Sequence, residues 1–134
     1  VEPLHVLVAE DEPHIARLIA IKLETGPFRV TQVGDGAAAL EALAAHPDIA
    51  LAILDLMMPG VGGLEVLAHI RGDQRTRALP CIVLTATGHE AARRQALDLG
   101  ANEFLTKPFS PKKLFATAVA LSGADARDAT TFPT

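Results

Sequence analysis

A doubly wound α/β fold, a parallel sheet with helices on both faces, is what this sequence predicts. Two patterns carry the prediction. Apolar runs of strand length recur five times, and each is followed by a stretch with apolar residues at helical spacing. One run, residues 49–54 (Ile-Ala-Leu-Ala-Ile-Leu), is apolar from end to end, as a strand covered on both faces of a parallel sheet must be.

The elements follow in order. Residues 4–9 form a first strand that ends in Glu10-Asp11-Glu12. Pro13 suits the first turn of a helix, where its missing N–H leaves no bond unmade. Ile15, Leu18, Ile19 and Leu23 follow at helical spacing, and Gly26-Pro27 stops the helix. Residues 28–33 alternate roughly, as a second strand. Asp35 can cap a second helix with a stripe of Leu40, Leu43 and Ala44, closed by His46-Pro47. The third strand, 49–54, delivers Asp55, and Pro59-Gly60 forces a turn.

Gly62-Gly63 lead into a third helix with Leu64, Leu67 and Ala68 on one face. Residues 80–84 are a fourth strand ending in Thr85-Ala86. A fourth helix over about 89–99 carries Ala92, Ala96 and Leu99 and is closed by Gly100. Residues 103–106 are a short fifth strand ending in Lys107-Pro108. Ser110 or its neighbour opens a fifth helix that runs to about Ser122, with Pro111 in its first turn. The division expected is one domain over 1–122 and a flexible tail or linker over 123–134, where periodicity ends. The chain opens on Val1, not Met, which fits a fragment or a processed product.

Composition narrows the function. The 134 residues make one domain, and 49% hydrophobic with 21% charged is ordinary for a globule. A net charge of −4 argues against direct contact with nucleic acid. No apolar run nears the ~20 residues a bilayer requires, and no signal peptide opens the chain, so neither membrane nor secretion is expected. The single cysteine, Cys81, sits in an apolar run and reads as a buried strand residue; it is compatible with cytosol. The five histidines, at 5, 14, 46, 69 and 89, show no metal-ligand spacing and read as surface or edge residues.

Chemistry lies in where the strands end. The first ends in Glu10-Asp11, the third in Asp55, the fourth in Thr85 and the fifth in Lys107. In the strand order 2-1-3-4-5 those four strands are consecutive neighbours, so their ends converge beyond the carboxyl edge. Three clustered carboxylates repel and call for a cation, and an all-oxygen shell with water suits Mg²⁺ better than zinc. A lysine and a hydroxyl at the same place can hold phosphoryl oxygens. Together they point to transfer of phosphate to Asp55. Each residue has a blander reading alone: an acidic helix cap, a surface lysine, a core phenylalanine. Gly60-Val-Gly-Gly63 lacks the Lys-Ser/Thr of a phosphate loop and is a turn.

Val-Leu-Val-Ala-Glu-Asp-Glu-Pro-His-Ile, Leu-Asp-Leu-Met-Met-Pro-Gly, Val-Leu-Thr-Ala and Gly-Ala-Asn-Glu-Phe-Leu-Thr-Lys-Pro-Phe, in that order, resemble the receiver domain of bacterial two-component response regulators. The resemblance spans residues 4 to about 121. It implies a flavodoxin-like (βα)5 three-layer sandwich with Asp55 as phosphoacceptor. It further implies that Asp11, Asp55 and the Met57 backbone carbonyl ligate Mg²⁺ (Mn²⁺ as an alternative), with Glu10 acting mostly through water. Lys107 would neutralise phosphoryl charge, aimed by a cis bond to Pro108. Thr85 would bond a phosphoryl oxygen, Ala86 would keep the access route open, and Phe104 would change rotamer when Thr85 moves.

The implied partners are a sensor histidine kinase or histidine phosphotransfer protein and an output domain or protein. The implied place is the cytoplasm, and the implied role is a switch, not an enzyme, that assists its own phosphorylation and slow dephosphorylation. Three departures stand out. Glu10 replaces a frequent Asp, Gly62 replaces a common capping Asp, and Phe104 lacks a phenolic hydroxyl. Rival readings fare worse. A mononucleotide binder would not place Glu-Asp-Glu after its first strand, and a dehalogenase-type phosphatase needs a second acid where Met57 stands. An interaction module with a dead pocket would have lost Asp55, Lys107 or the acidic pair.

Overall fold

The computed structural model describes residues 2–86 and 88–124. Five strands and five helices alternate: β1 (Leu4–Ala9), α1 (Pro13–Leu23), β2 (Phe28–Val33), α2 (Gly36–Ala45), β3 (Ile49–Asp55), α3 (Gly63–Gly72), β4 (Cys81–Ala86), α4 (Glu90–Asp98), β5 (Glu103–Lys107) and α5 (Pro111–Ser122). The strands are all parallel, in the order β2-β1-β3-β4-β5. This is the doubly wound flavodoxin-like arrangement, with the strand order reversing between β1 and β3.

Two apolar layers sandwich the sheet because β1, β3 and β4 are apolar on both faces. Leu7, Leu54, Val66, Leu67, Ile70 and Val83 form the layer beneath α2, α3 and α4. Val6, Val8, Ile19, Ile53, Leu84 and Leu114 form the layer beneath α1 and α5. Pairing with neighbours carries three strands beyond their expected ends. Asp55 pairs with Leu84, Thr85 with Thr106, and Ala86 with Lys107, so the chemical residues lie within the last strand positions.

Local chemistry sets the helix ends. The Asp35 carboxylate accepts from Ala38 N–H and the Ser110 hydroxyl from Lys113 N–H, closing the first turns of α2 and α5. Gly62 offers no side-chain cap to α3. Gly100, at φ 95°, turns the chain out of α4 into β5.

Several apolar stripes lie one position round from where periodicity put them. On α1 the buried residues are Ala16, Ile19, Ala20 and Leu23, and Leu18 is 53% exposed. On α2 they are Gly36, Ala39, Ala42 and Leu43, with Ala44 exposed; on α3 they are Gly63, Val66, Leu67 and Ile70, with Ala68 exposed. On α1 the small Ala16 and Ala20 let the backbone approach the sheet and Leu18 turns outward, whereas on α2 and α3 it is Ala44 and Ala68 that face solvent. His5 is a further correction. It is buried at 2% exposure, because β1 is the inner neighbour of two strands. At the other end, Ala124 is fully buried beyond the expected domain boundary. The rest of the expected tail, 125–134, lies outside the described residues.

Candidate functional site

β1, β3 and β5 bring Glu10, Asp55 and Lys107 to the carboxyl edge of the sheet. One carboxylate oxygen from each of Glu10, Asp11 and Asp55 lies within 4.8 Å of the others. Glu10 and Asp55 are buried, and Asp11 is exposed. Lys107 Nζ stands 2.7 Å from Glu10 Oε1, 3.4 Å from Asp55 Oδ2 and 3.5 Å from Glu12 Oε1. Glu12 was read from sequence only as part of an acidic run; its contact with Lys107 spans 95 positions and could not be seen there.

Backbone groups fix both inner carboxylates. Met57 N–H donates to Asp55 Oδ1 at 3.0 Å, and Glu12 N–H donates to Glu10 Oε2 at 3.2 Å. Gly63 allows the close packing behind them. A Cβ there would lie 2.4 Å from the Asp55 carbonyl oxygen and 2.8 Å from Leu56 Cα, so only glycine fits where α3 starts against the end of β3. The sequence reading took Gly63 for a helix lead-in and missed this role.

The electrostatics are those of two buried carboxylates crowded together beside one lysine. Burial, and then the hydrogen bond with Asp55, push Glu10 up to about 7, with Lys107 and the Glu12 N–H opposing. Burial raises Asp55 too, but hydrogen bonds from Glu10, Met57 N–H and Asp11, with the charge of Lys107, hold it below the usual carboxylate range. Burial and mutual repulsion thus favour a proton on the pair, while Lys107 and the backbone donors favour its charge. Burial opposes the charge on Lys107, yet Glu10 and Asp55 outweigh it and hold the ammonium above its ordinary value.

This donor set fits a hard divalent cation. The oxygens are charged and clustered, and buried Glu10 Oε1 is met by the Lys107 ammonium at 2.7 Å without a well-directed hydrogen bond among the described residues.

The other expected residues take up these places. Thr85 is buried, and its hydroxyl donates only a long 3.4 Å bond to the Ala86 carbonyl. Ala86 is half-buried, and the Met57 side chain is 52% exposed over the edge. The Lys107–Pro108 bond is cis. Phe104 is half-buried, with the Arg93 guanidinium 3.8 Å above its ring; Arg93 also pairs with Glu90 at 3.0 Å. The stacking of Arg93 on Phe104 was not foreseen. A cavity of about 400 Å³ lies at the opposite end of the sheet, between α2, α3 and the 73–80 loop, away from this chemistry.

A doubly wound fold with an acidic, lysine-bearing strand edge defines a class of phosphate-handling α/β proteins. The particular family follows from comparison. Residues 6–119 match the model of the response regulator receiver domain. The chain is 38% identical over 112 residues to the phosphate regulon transcriptional regulatory protein PhoB of Escherichia coli (strain K12), covering 83% of this chain and 48% of that one. It superposes at TM-score 0.85 on a putative response regulator from Chloroflexus aurantiacus, at 26% identity over 91% of this chain and 99% of that one. It also superposes at 0.75 on the Mn²⁺-bound form of response regulator Rcp1, at 29% identity over 89% of this chain and 95% of that one.

The chain belongs to the response regulator receiver domain family. Such domains signal by phosphorylation, are not enzymes in the usual sense, and pair with sensor kinases and output domains. The chain spans about half the length of PhoB. No helix among the described residues is long and apolar enough to cross a membrane.

Proposed function

We propose that this domain is a phosphorylation-activated switch that accepts a phosphoryl group on Asp55 in a Mg²⁺-dependent reaction. The donor is a sensor histidine kinase or a histidine phosphotransfer protein. One observation carries the reading: Lys107 Nζ lies 3.4 Å from Asp55 Oδ2, at the edge where three carboxylates meet.

Glu10, Asp11, Asp55 and the Met57 carbonyl would hold Mg²⁺, or Mn²⁺ in its place. When bound, the ion supplies positive charge against the carboxylates and the phosphoryl oxygens. The Mn²⁺-bound Rcp1 structure supports a divalent ion in a domain of this shape. The Met57 N–H holds Oδ1 and so fixes the carboxylate plane. An Asp55 oxygen attacks the phosphorus of the phosphohistidine in line. The new P–O bond forms as the P–N bond breaks, and imidazole leaves. Lys107 balances the equatorial charge. Thr85 gives up its long bond to Ala86 and donates to a phosphoryl oxygen, with Ala86 leaving the approach open.

Phe104 then turns into the space that Thr85 leaves, releasing the stack with Arg93. The face of α4, β5 and α5 is reshaped, and this face controls an output domain or partner protein. The change is a shift between two packings, biased by phosphate contacts made in only one. The domain works in the cytoplasm, with no direct contact of its own with nucleic acid or membrane; the names of relatives such as PhoB support a transcriptional output beyond it.

Incubation with Mg²⁺ and acetyl phosphate, followed by intact-mass and peptide mass spectrometry, tests the assignment. Asp55 alone is modified, Asp55→Asn abolishes labelling, and Lys107→Ala keeps Mg²⁺ binding but uncouples phosphorylation from the change at α4. Equal labelling of Asp55→Asn refutes the assignment.

A further inference from the structure

The amino-terminal end of the sheet, opposite the acidic edge, gathers a second set of ligating side chains. His5 on β1, His46 at the end of α2 and Asp48 in the α2–β3 turn each bring one ligand atom within 4.8 Å of the other two. We propose that this trio is a binding site for a borderline transition-metal ion, with Zn²⁺ as its natural probe.

Two imidazoles and one carboxylate, with a fourth position open to water, are a zinc-type donor set and not a magnesium-type one. The innermost pair is joined by a hydrogen bond that an ion would replace: His5 Nδ1 lies 3.1 Å from Asp48 Oδ1, close to the ~3.3 Å between two ligands of a tetrahedral ion with bonds near 2.0–2.1 Å. His46 stands edge-on to His5, with ring centroids 5.2 Å apart at 75°, and its exposed side chain is free to close the remaining gap.

The groups behind the trio are placed as supporting partners of metal ligands are. The Thr31 hydroxyl lies 2.7 Å from His5 Nε2, so that ring nitrogen can donate outward and leave Nδ1 as the ligating atom. Arg29 donates to Asp48 Oδ2, which orients the carboxylate and leaves Oδ1 turned to His5. The β1–β3 register shifts between His5 and Val6, an irregularity of the kind that re-aims side chains. Arg29 also brings positive charge, which sets the expected affinity in the micromolar range, not the nanomolar.

The trio lies at the amino-terminal ends of β1 and β3, opposite the carboxyl edge that holds Glu10, Asp11 and Asp55, and shares no residue with it. It is therefore independent of the phosphoacceptor reading. Zn²⁺ titration of the whole chain against a chromophoric zinc indicator, with millimolar Mg²⁺ present to occupy the acidic edge, tests it. One equivalent binds with micromolar affinity. His46→Ala and Asp48→Asn each weaken binding by at least about tenfold, while His69→Ala and Asp11→Asn leave it unchanged. His46 is exposed, so its removal spares the fold, and an unchanged far-ultraviolet circular dichroism spectrum checks that. In parallel, ¹⁵N spectra of the histidine rings show metal-induced shifts at His5 Nδ1. No binding at micromolar Zn²⁺, binding indifferent to His46→Ala, or binding lost only in Asp11→Asn overturns the proposal.

Discussion

Arg71, near the end of α3, tethers two other segments, the 73–80 loop and the α4–β5 connection, and its removal is the sharpest test of how α4 is held. Its Nη1 donates to the carbonyls of Arg77 at 3.0 Å and Leu79 at 2.7 Å. Nη2 donates to the Gly100 carbonyl at 2.8 Å and Asn102 Oδ1 at 3.1 Å, and Nε reaches Gly100 at 3.2 Å. Asn102 Oδ1 also accepts from Cys81 N–H, so the network reaches into β4. α4 needs this anchor because only Ala96 of its residues is buried. Hydrogen bonds from a charged donor contribute roughly 1.5–3 kcal/mol each in mutational series.

Five such bonds do not add, since water reaches the carbonyls that Arg71→Ala frees. Most of these bonds are exposed, so two unreplaced bonds at the low end of that range give a loss of about 3 kcal/mol, a large share of the ~5–15 kcal/mol that holds a domain together. At about 4 °C per kcal/mol for this size, Tm falls by roughly 12 °C. Arg71→Lys recovers little, because an ammonium cannot fork to three carbonyls at once. Differential scanning calorimetry gives the magnitude. Amide hydrogen exchange adds location: protection is lost first at Leu99, Gly100, Ala101 and Asn102. A Tm within about 2 °C of wild type, or full rescue by lysine, refutes the reasoning.

Three more outcomes are expected. The phosphoryl group is expected to persist, because Met57 offers an apolar shield near Asp55 and neither it nor Thr87, which lies outside the described residues, is an acid or amide that positions water well; Met57→Asn with Thr87→Glu accelerates decay of the labelled protein, and equal decay rates refute this. Phosphorylation does not drive a symmetric dimer through α4, β5 and α5. Asn102 is engaged internally by Arg71, Arg93 is taken by Glu90 and Phe104, and Val119 is half-buried against the core and so is not free as an apolar contact. Sedimentation with and without beryllium fluoride decides, and mimic-dependent dimers abolished by Glu103→Lys refute it. Cys81, fully buried and with its thiol pushed by burial to about 11, resists aromatic disulfide reagents at neutral pH until the chain is unfolded; rapid labelling of the native protein refutes that.

The sequence by itself determined the strands, the helices and the edge at which the chemistry lies. Parallel strands buried on both faces must be apolar throughout, so β1, β3 and β4 declare themselves. In a parallel sheet every strand end shares one edge, so the ends of β1, β3, β4 and β5 could be brought together on paper once their order was supposed. Tertiary structure alone decided which way each helix rolls. Alanine and glycine stripes are as regular as leucine stripes, and the sheet selects the closer fit, leaving Leu18 outside and Ala16 within.

Tertiary structure also decided every contact that joins distant segments. Glu12 meets Lys107, Arg71 meets Gly100, Arg93 covers Phe104, and Gly63 lies against the Asp55 carbonyl. The histidines make the point most plainly. At positions 5 and 46 they have no spacing that a ligand pattern would use, yet β1 and the turn before β3 are neighbours in the sheet. Local periodicity encodes which residues share a face of one element. It does not encode which elements meet end to end, and that is set by how the sheet is ordered and closed over its core.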